Sequence, residues 1–427
     1  MKEHQYKQIS ETIYYEQLPN GLTLHLIPRT EMSKTYGVFS TQYGSIDRSF
    51  IPLGESEPIT VPDGVAHFLE HKLFEKEDHD VFADFGKQGA SPNAFTSFTE
   101  TAYLFSATNN IEENVKTLLD FVQNPYFSDQ SVEKEKGIIT QEINMYDDQP
   151  DWQSFMGTIK AMFHHHPVNI DIAGTEPTIR AITKEDLYTC YHTFYHPSNM
   201  NLVIAGNFDP ERMMKLIQSN QANKTFTEPE PIHKSFPEEP DHVAMSEHVL
   251  NMPVSTPKCT VGVKESNKAI TGEAFVKKDL LQNMFLDYFF SKSGSFYHLL
   301  YDEDLIDSSF YFESNLEHNF GYSLIGGNTD HPDLFAERVK TLLLSTREYS
   351  LSSEDFERMK NKKIGQWLMA LNSLEFTANK LIHYNRQDID LFNMIQTIQD
   401  LTIKEAQSFL EHWIVPDRIA VCKIVTE

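Results

Sequence analysis

The sequence predicts an α+β chain built as two similar halves, each a mainly antiparallel sheet packed with a helical layer. Three observations lead there. A length of 427 residues exceeds the usual reach of one hydrophobic core, which points to more than one domain. The two halves also end alike. Thr183 opens a helical stretch to Phe194, followed by Pro197 and an apolar strand at 202–205. The same order returns in Thr402 to Trp413, Pro416 and 419–425, offset by 219 residues at both Thr183/Thr402 and Pro197/Pro416. Finally, strand and helix patterns intermingle without regular βαβ alternation.

Taken in order, Leu18-Pro19-Asn20-Gly21-Leu22 reads as a hairpin turn between strands at 14–17 and 23–27. A further strand is expected at 36–43. Asp63, preceded by Pro62, is the expected N-cap of a helix running through Phe74. The periodicity of 111–122 and of 132–163 predicts helices. Between 223 and 241, Pro229, Pro231, Pro237 and Pro240 stand among polar and charged residues, a composition that resists helix and central strand alike. The expected organisation is therefore a first domain at 1–223, a linker at 224–241 and a second domain at 242–427.

Charge narrows the functional classes. Lys and Arg number 36 against 62 Asp and Glu, a net charge of -26, which repels nucleic acid and anionic membranes. The first residues lead into no apolar signal core, and no window is apolar enough to span a bilayer, so a cytoplasmic protein is expected. Cys190, Cys259 and Cys422 are odd in number and widely spaced, which predicts reduced core thiols.

Chemistry concentrates in His67-Phe68-Leu69-Glu70-His71. On a helix, residues four apart lie about 40° apart around the axis, and Glu70 falls within the same sector of roughly 100°. One face then offers two imidazoles for a zinc ion and a carboxylate able to take a proton from metal-bound water. By chance such a pattern arises somewhere in a chain of this composition about 6% of the time, and two histidines still leave a catalytic zinc short of a third ligand. Glu135 and Glu142, seven residues apart on a predicted helix and so within about 20° of each other, are the candidates. Ile138, Ile139 and Ile143 are expected to flank them on the buried side.

At this point the sequence resembles the pitrilysin-like M16 zinc metallopeptidases, called inverzincins because H-x-x-E-H reverses H-E-x-x-H. The resemblance runs through Gly64-Val65-Ala66-His67, Phe68-Leu69-Glu70-His71 with Phe74, Asn93-Ala94-Phe95-Thr96-Ser97, Glu135 with Glu142, His166-Pro167, Gly174-Thr175 and 195–207. It implies one zinc per chain held by His67, His71 and Glu142, with Glu70 as general base and Glu135 supporting the ligands. It also implies a duplicated half-shell fold, and an exposed edge strand at Asn93, Ala94 and Phe95 on which a peptide is held by added strand pairing.

Family members of this length, such as bacterial processing-protease-like subunits, resemble half of a clamshell closed by a second chain. Active relatives carry an Arg and, seven residues later, a Tyr in the second half. Here Tyr301 stands where Arg is expected and Ser308 or Asp307 where Tyr is expected, and no Arg occurs between Arg212 and Arg338. The expected assembly is a heterodimer whose homologous partner supplies that pair, with a homodimer as alternative. The expected activity is zinc-dependent endopeptidase cleavage of peptides or short unfolded polypeptides in an enclosed chamber, the rival being a non-catalytic assembly or peptide-binding subunit. His164-His165-His166 reads as a structural loop beside Pro167, and Phe289-Phe290 with Phe296 and Tyr297 as core or chamber lining.

Overall fold

The computed structural model describes residues 1–266 and 269–426. Ten strands fall in the first part of the chain: β1 (Lys2–Tyr6), β2 (Glu11–Gln17), β3 (Thr23–Pro28), β4 (Thr35–Thr41), β5 (Ser49–Ile51), β6 (Ile59–Thr60), β7 (Ala90–Thr96), β8 (Thr101–Ala107), β9 (Met200–Gly206) and β10 (His233–Lys234). Among them run helices α1 (Val65–Phe74), α2 (Phe82–Gln88), α3 (Ile111–Val122), α4 (Asp129–Asp147), α5 (Pro150–Met162), α6 (Glu176–Ala181), α7 (Lys184–Phe194) and α8 (Pro210–Ala222). The second part has β11 (Glu247–Asn251), β12 (Lys258–Lys264), β13 (Tyr311–Leu316), β14 (Gly321–Asn328) and β15 (Ile419–Val425). Its helices are α9 (Gly272–Phe290), α10 (Ser295–Asp302), α11 (Pro332–Ser345), α12 (Ser353–Ala370), α13 (Leu374–Asn385), α14 (Met394–Asp400) and α15 (Ile403–Trp413).

In the first compact unit the large sheet runs β1-β2-β3-β9-β4-β8-β7, leaving β7 as a free edge. Its β3–β9 pair is parallel and its other pairs antiparallel. The core is a cluster centred on Leu24, Leu26, Phe39, Phe68, Leu69, Phe105 and Leu118, so helix faces and sheet face are buried together. The second unit repeats the theme in smaller form, β11-β15-β12-β14-β13, again with one parallel pair, β11–β15, beside antiparallel ones. The duplication is close: α7 and α15, like β9 and β15, begin and end 219 residues apart. Thr183 and Thr402 both cap their helices with reciprocal side-chain and backbone bonds.

The compact units are not continuous stretches of chain. One comprises residues 1–144, 170–236 and 370–383, the other 145–169, 237–369 and 384–427. Each thus takes a segment from the other half of the sequence, unlike the continuous 1–223 and 242–427 division expected above. In the second unit, α5 lies on the sheet, with Ser154 Oγ 2.9 Å from Thr260 Oγ1 and Gly157 so near Cys422 that a Cβ there would stand 2.6 Å from its Sγ. In the first unit, Arg29 donates to the Leu371 carbonyl at 2.6 Å while pairing with Glu11 at 2.7 Å. Lys34 also pairs with Glu375, and Ala378, Leu381 and Ile382 are buried.

Several local expectations change. The stretch at 132–163 is two helices, because Pro150 cannot donate to a continuing helix and becomes the first residue of a new one. Ile138 is 44% exposed, whereas Ile139 and Ile143 are buried. At 100° per residue Ile138 lies on the opposite side of the Glu135–Glu142 line from the other two. The three cysteines are free and buried, and Phe289, Phe290 and Phe296 pack in the core of the second unit. No helix among the described residues is long and apolar enough to cross a membrane.

Candidate metal centre

The helix carrying the histidines begins at Gly64, with φ of +91°, and not at an Asp63 cap, since no side chain caps its first turn. Asp63 instead pairs with Arg48 at 3.1 Å. Gly64 is required twice over: its φ suits glycine, and a Cβ there would meet the Ala173 carbonyl oxygen at 2.5 Å. Gly174, at φ +77°, answers it, for a Cβ there would stand 2.6 Å from the Asp63 carbonyl oxygen. Two chain segments therefore cross at backbone distance and seat the start of α1. Val65, Phe68, Leu69 and Leu73 then anchor α1 in the core, leaving His67, Glu70 and His71 towards α4 and β7.

There the expected residues converge. Ligand atoms of His67, His71 and Glu142 all lie within 4.8 Å of one another. His67 Nε2 is 3.7 Å from Glu142 Oε1, and His71 Nε2 is 3.5 Å from Glu142 Oε2. Two donors on one tetrahedral zinc, each about 2.1 Å from it, stand about 3.4 Å apart, so these separations need only slight contraction. Two imidazole nitrogens and one carboxylate are also a donor set zinc accepts in open catalytic sites. Glu135, 7% exposed, does not join them. Its Oε1 lies 3.0 Å from His71 Nδ1, where a carboxylate behind a ligating imidazole fixes its orientation. His67 has no such support, its buried Nδ1 lacking a hydrogen-bond partner among the described residues.

The electrostatics follow from this crowding. Burial, and then neighbouring His71, push the His67 imidazole down to about 3, so it is neutral with a lone pair available. Burial opposes a charged His71 as well, but the hydrogen bond to Glu135 and the charges of Glu70, Glu135 and Glu142 outweigh it and raise its pKa. Glu70 is raised by burial and by Glu142, against the opposing pull of Thr96 and His71. Three carboxylates around two imidazoles make a strongly negative pocket, a setting for a divalent cation.

Of the remaining candidates, Asn93, Ala94 and Phe95 lie on β7, the free edge, with their inner pairing to β8. Thr96, at the end of that strand, donates to Glu70 Oε2 at 2.6 Å. Sequence reading placed Thr96 in a motif without giving it a partner. His164, His165 and His166 form a loop, as expected, and all three backbone amides donate to the buried Glu239 carboxylate at 2.7–2.9 Å. Tyr301 is 57% exposed on α10, stacked on Tyr297, and Ser308 lies in the turn before β13.

The family model described as Insulinase (Peptidase family M16) matches residues 56–176, and that described as Peptidase M16 inactive domain matches residues 181–363. The chain is 48% identical over 425 residues, covering 100% of it and 99% of the relative, to the Bacillus subtilis (strain 168) protein named Uncharacterized zinc protease YmfH. A crystal structure from Alicyclobacillus acidocaldarius, described as M16-like, superposes with a TM-score of 0.93 at 43% identity, covering 98% of this chain and 99% of that one. A Helicobacter pylori protease shares the fold, with a TM-score of 0.82 at 16% identity over 96% of this chain and 99% of that one.

Proposed function

This chain belongs to the M16 peptidase family, and from that premise we propose that it is a zinc-dependent endopeptidase. In this reading it cleaves peptides or short unfolded polypeptides in a chamber formed with a second, homologous subunit. The observation that carries the proposal is the convergence of His67, His71 and Glu142 within 4.8 Å, beside a half-buried Glu70. His67, His71 and Glu142 would hold the zinc, and Glu135 would fix His71 through Nδ1. When bound, the metal lowers the pKa of a water towards neutrality and polarises a peptide carbonyl. Glu70 takes the proton of the attacking water and returns it to the leaving amine, a role its raised pKa suits. Asn93, Ala94 and Phe95 on the free edge of β7 would hold the peptide by adding it as a strand, which orients the scissile bond without reading every side chain. A cytoplasmic setting, where thiols stay reduced, suits the three buried free cysteines.

Tyr301 in place of an Arg, and Ser308 or Asp307 in place of a Tyr, support a division of labour in which this chain carries the zinc chemistry and a partner supplies the missing pair. A chain fully active as a homodimer would refute that division. The same two positions favour a second reading, a zinc-stabilised peptide-binding subunit without turnover.

One set of measurements separates the readings. His67→Ala is expected to lose bound zinc. Glu70→Gln should keep it while kcat on a quenched peptide falls about 10²–10⁴-fold. Zinc bound by the wild type without cleavage, both alone and with a homologous partner, would argue for the second reading.

A further inference from the structure

Glu70 is an exacting group to place. It reaches from α1 on three rotatable bonds, and for a base to work its free oxygen has to meet a water within hydrogen-bond distance. Among the described residues a single hydrogen bond restrains it, the 2.6 Å contact between Thr96 Oγ1 and Glu70 Oε2. An ionised carboxylate only accepts, so the hydroxyl is the donor, and the separation is that of a charge-assisted bond. Thr96 is a stiff donor. Its β-branched side chain is restricted at χ1, and its backbone is fixed by pairing with Thr101 across the β7–β8 hairpin. Thr101 is itself buried and donates to the Tyr43 carbonyl at 2.8 Å. The intervening turn is closed by the Ser97 amide on the Glu100 carbonyl at 2.7 Å and by Ser97 Oγ, which accepts from the Thr99 and Glu100 amides at 3.3 and 3.1 Å.

We propose that Thr96 is a positioning residue for the peptidase reaction: its hydroxyl holds Glu70 by Oε2, so that Oε1 is the oxygen presented to water. This rests on the peptidase reading given above. It also gives β7 a second task. The strand on which Asn93, Ala94 and Phe95 would receive a peptide is the strand that sets the base, so pairing a substrate along it stiffens the support of Glu70. The effect belongs to turnover rather than to affinity.

Thr96→Val keeps the shape and removes the hydroxyl, while Thr96→Ser keeps the hydroxyl. The expected result for Thr96→Val is a kcat about 10–100-fold lower with KM changed by less than about twofold, and with zinc content unchanged. Thr96→Ser should stay within about threefold of wild type. Crystal structures of the three proteins give a readout independent of activity: in Thr96→Val the Glu70 carboxylate should turn away or spread over several conformers, and in Thr96→Ser it should not. Wild-type kcat in Thr96→Val, equal losses in both variants, or a Glu70 unmoved in Thr96→Val would overturn the proposal. If wild-type protein cleaves nothing either alone or together with a homologous partner subunit, the peptidase reading falls and the catalytic use of the contact with it, while the structures still decide whether Thr96 sets the carboxylate.

Discussion

Behind His71, Glu135 keeps the imidazole turned so that Nε2 faces Glu142. Replacing Glu135 by Gln keeps the size and removes the charge, and is expected to weaken zinc binding about 10–100-fold, read by competition with a chelator of known affinity. A zinc affinity equal to wild type would reduce Glu135 to a bystander. Glu239 makes a different prediction. Burial would raise its carboxyl, but the Lys264 ammonium and the amides of His164, His165 and His166 prevail and hold it at about 2. A carboxyl depressed in the fold contributes stability that is present above its ordinary value of 4.5 and is lost as pH falls towards 2. Wild type should therefore exceed Glu239→Gln in Tm at pH 7, and the gap should narrow as pH falls below 4.5 and close as it nears 2. A gap independent of pH would contradict it. These residues differ in how far the sequence discloses them. His67, Glu70 and His71 were legible because their geometry is local to one helix, and Glu142 because it fits a family pattern. Glu70 with Thr96, 26 residues apart, and Glu239 with amides 73–75 residues away were not, since no local periodicity links them.

Helices and strands were mostly legible, and their ends less so. The 111–122 helix, the hairpin at 18–22 and the capped pair at Thr183 and Thr402 stand where apolar period, turn chemistry and cap residues place them. The start of α1 was misread because Asp63 looks like a cap, whereas the deciding contact is the close crossing of Gly64 with Ala173 and of Gly174 with Asp63. Gly64→Ala tests that crossing. A left-handed backbone costs a residue with a Cβ about 1–2 kcal/mol, and the contact with the Ala173 carbonyl adds to it, so a fall in Tm and a loosening of zinc binding are expected together. Calorimetry and zinc titration showing neither would mean the crossing can spread without moving α1. The exposure of Ile138 has the same origin as the other errors at this scale: the face of a helix is set by what packs on it, and α4 buries the side carrying Ile139 and Ile143.

At the scale of the whole chain the 219-residue repeat disclosed two related folds, yet not the exchange between them. Shifted by 219, residues 145–169 fall on 364–388, a span that contains 370–383, so the two borrowed segments are equivalent parts of the repeat. Nothing in a sequence pattern says which sheet a helix will cover. Without 145–169, the second unit loses the helix over Thr260, Gly262 and Cys422 and would expose an apolar sheet face. Fragments 1–236 and 237–427 expressed singly are thus expected to aggregate or melt without a cooperative transition, and to recover one when co-expressed. Circular dichroism melts and co-purification decide this, and a lone 237–427 fragment melting like the intact protein would refute it. The exchange also bears on synthesis. Domains ordinarily fold from the N-terminus as the ribosome releases them, but the unit holding His67, His71 and Glu142 is not complete until residues 370–383 emerge. A chain folding in that order makes His67, His71 and Glu142 early but completes the unit that carries them only after residues 370–383 have been added, so the scaffold of the candidate metal centre matures more than two hundred residues behind its ligands.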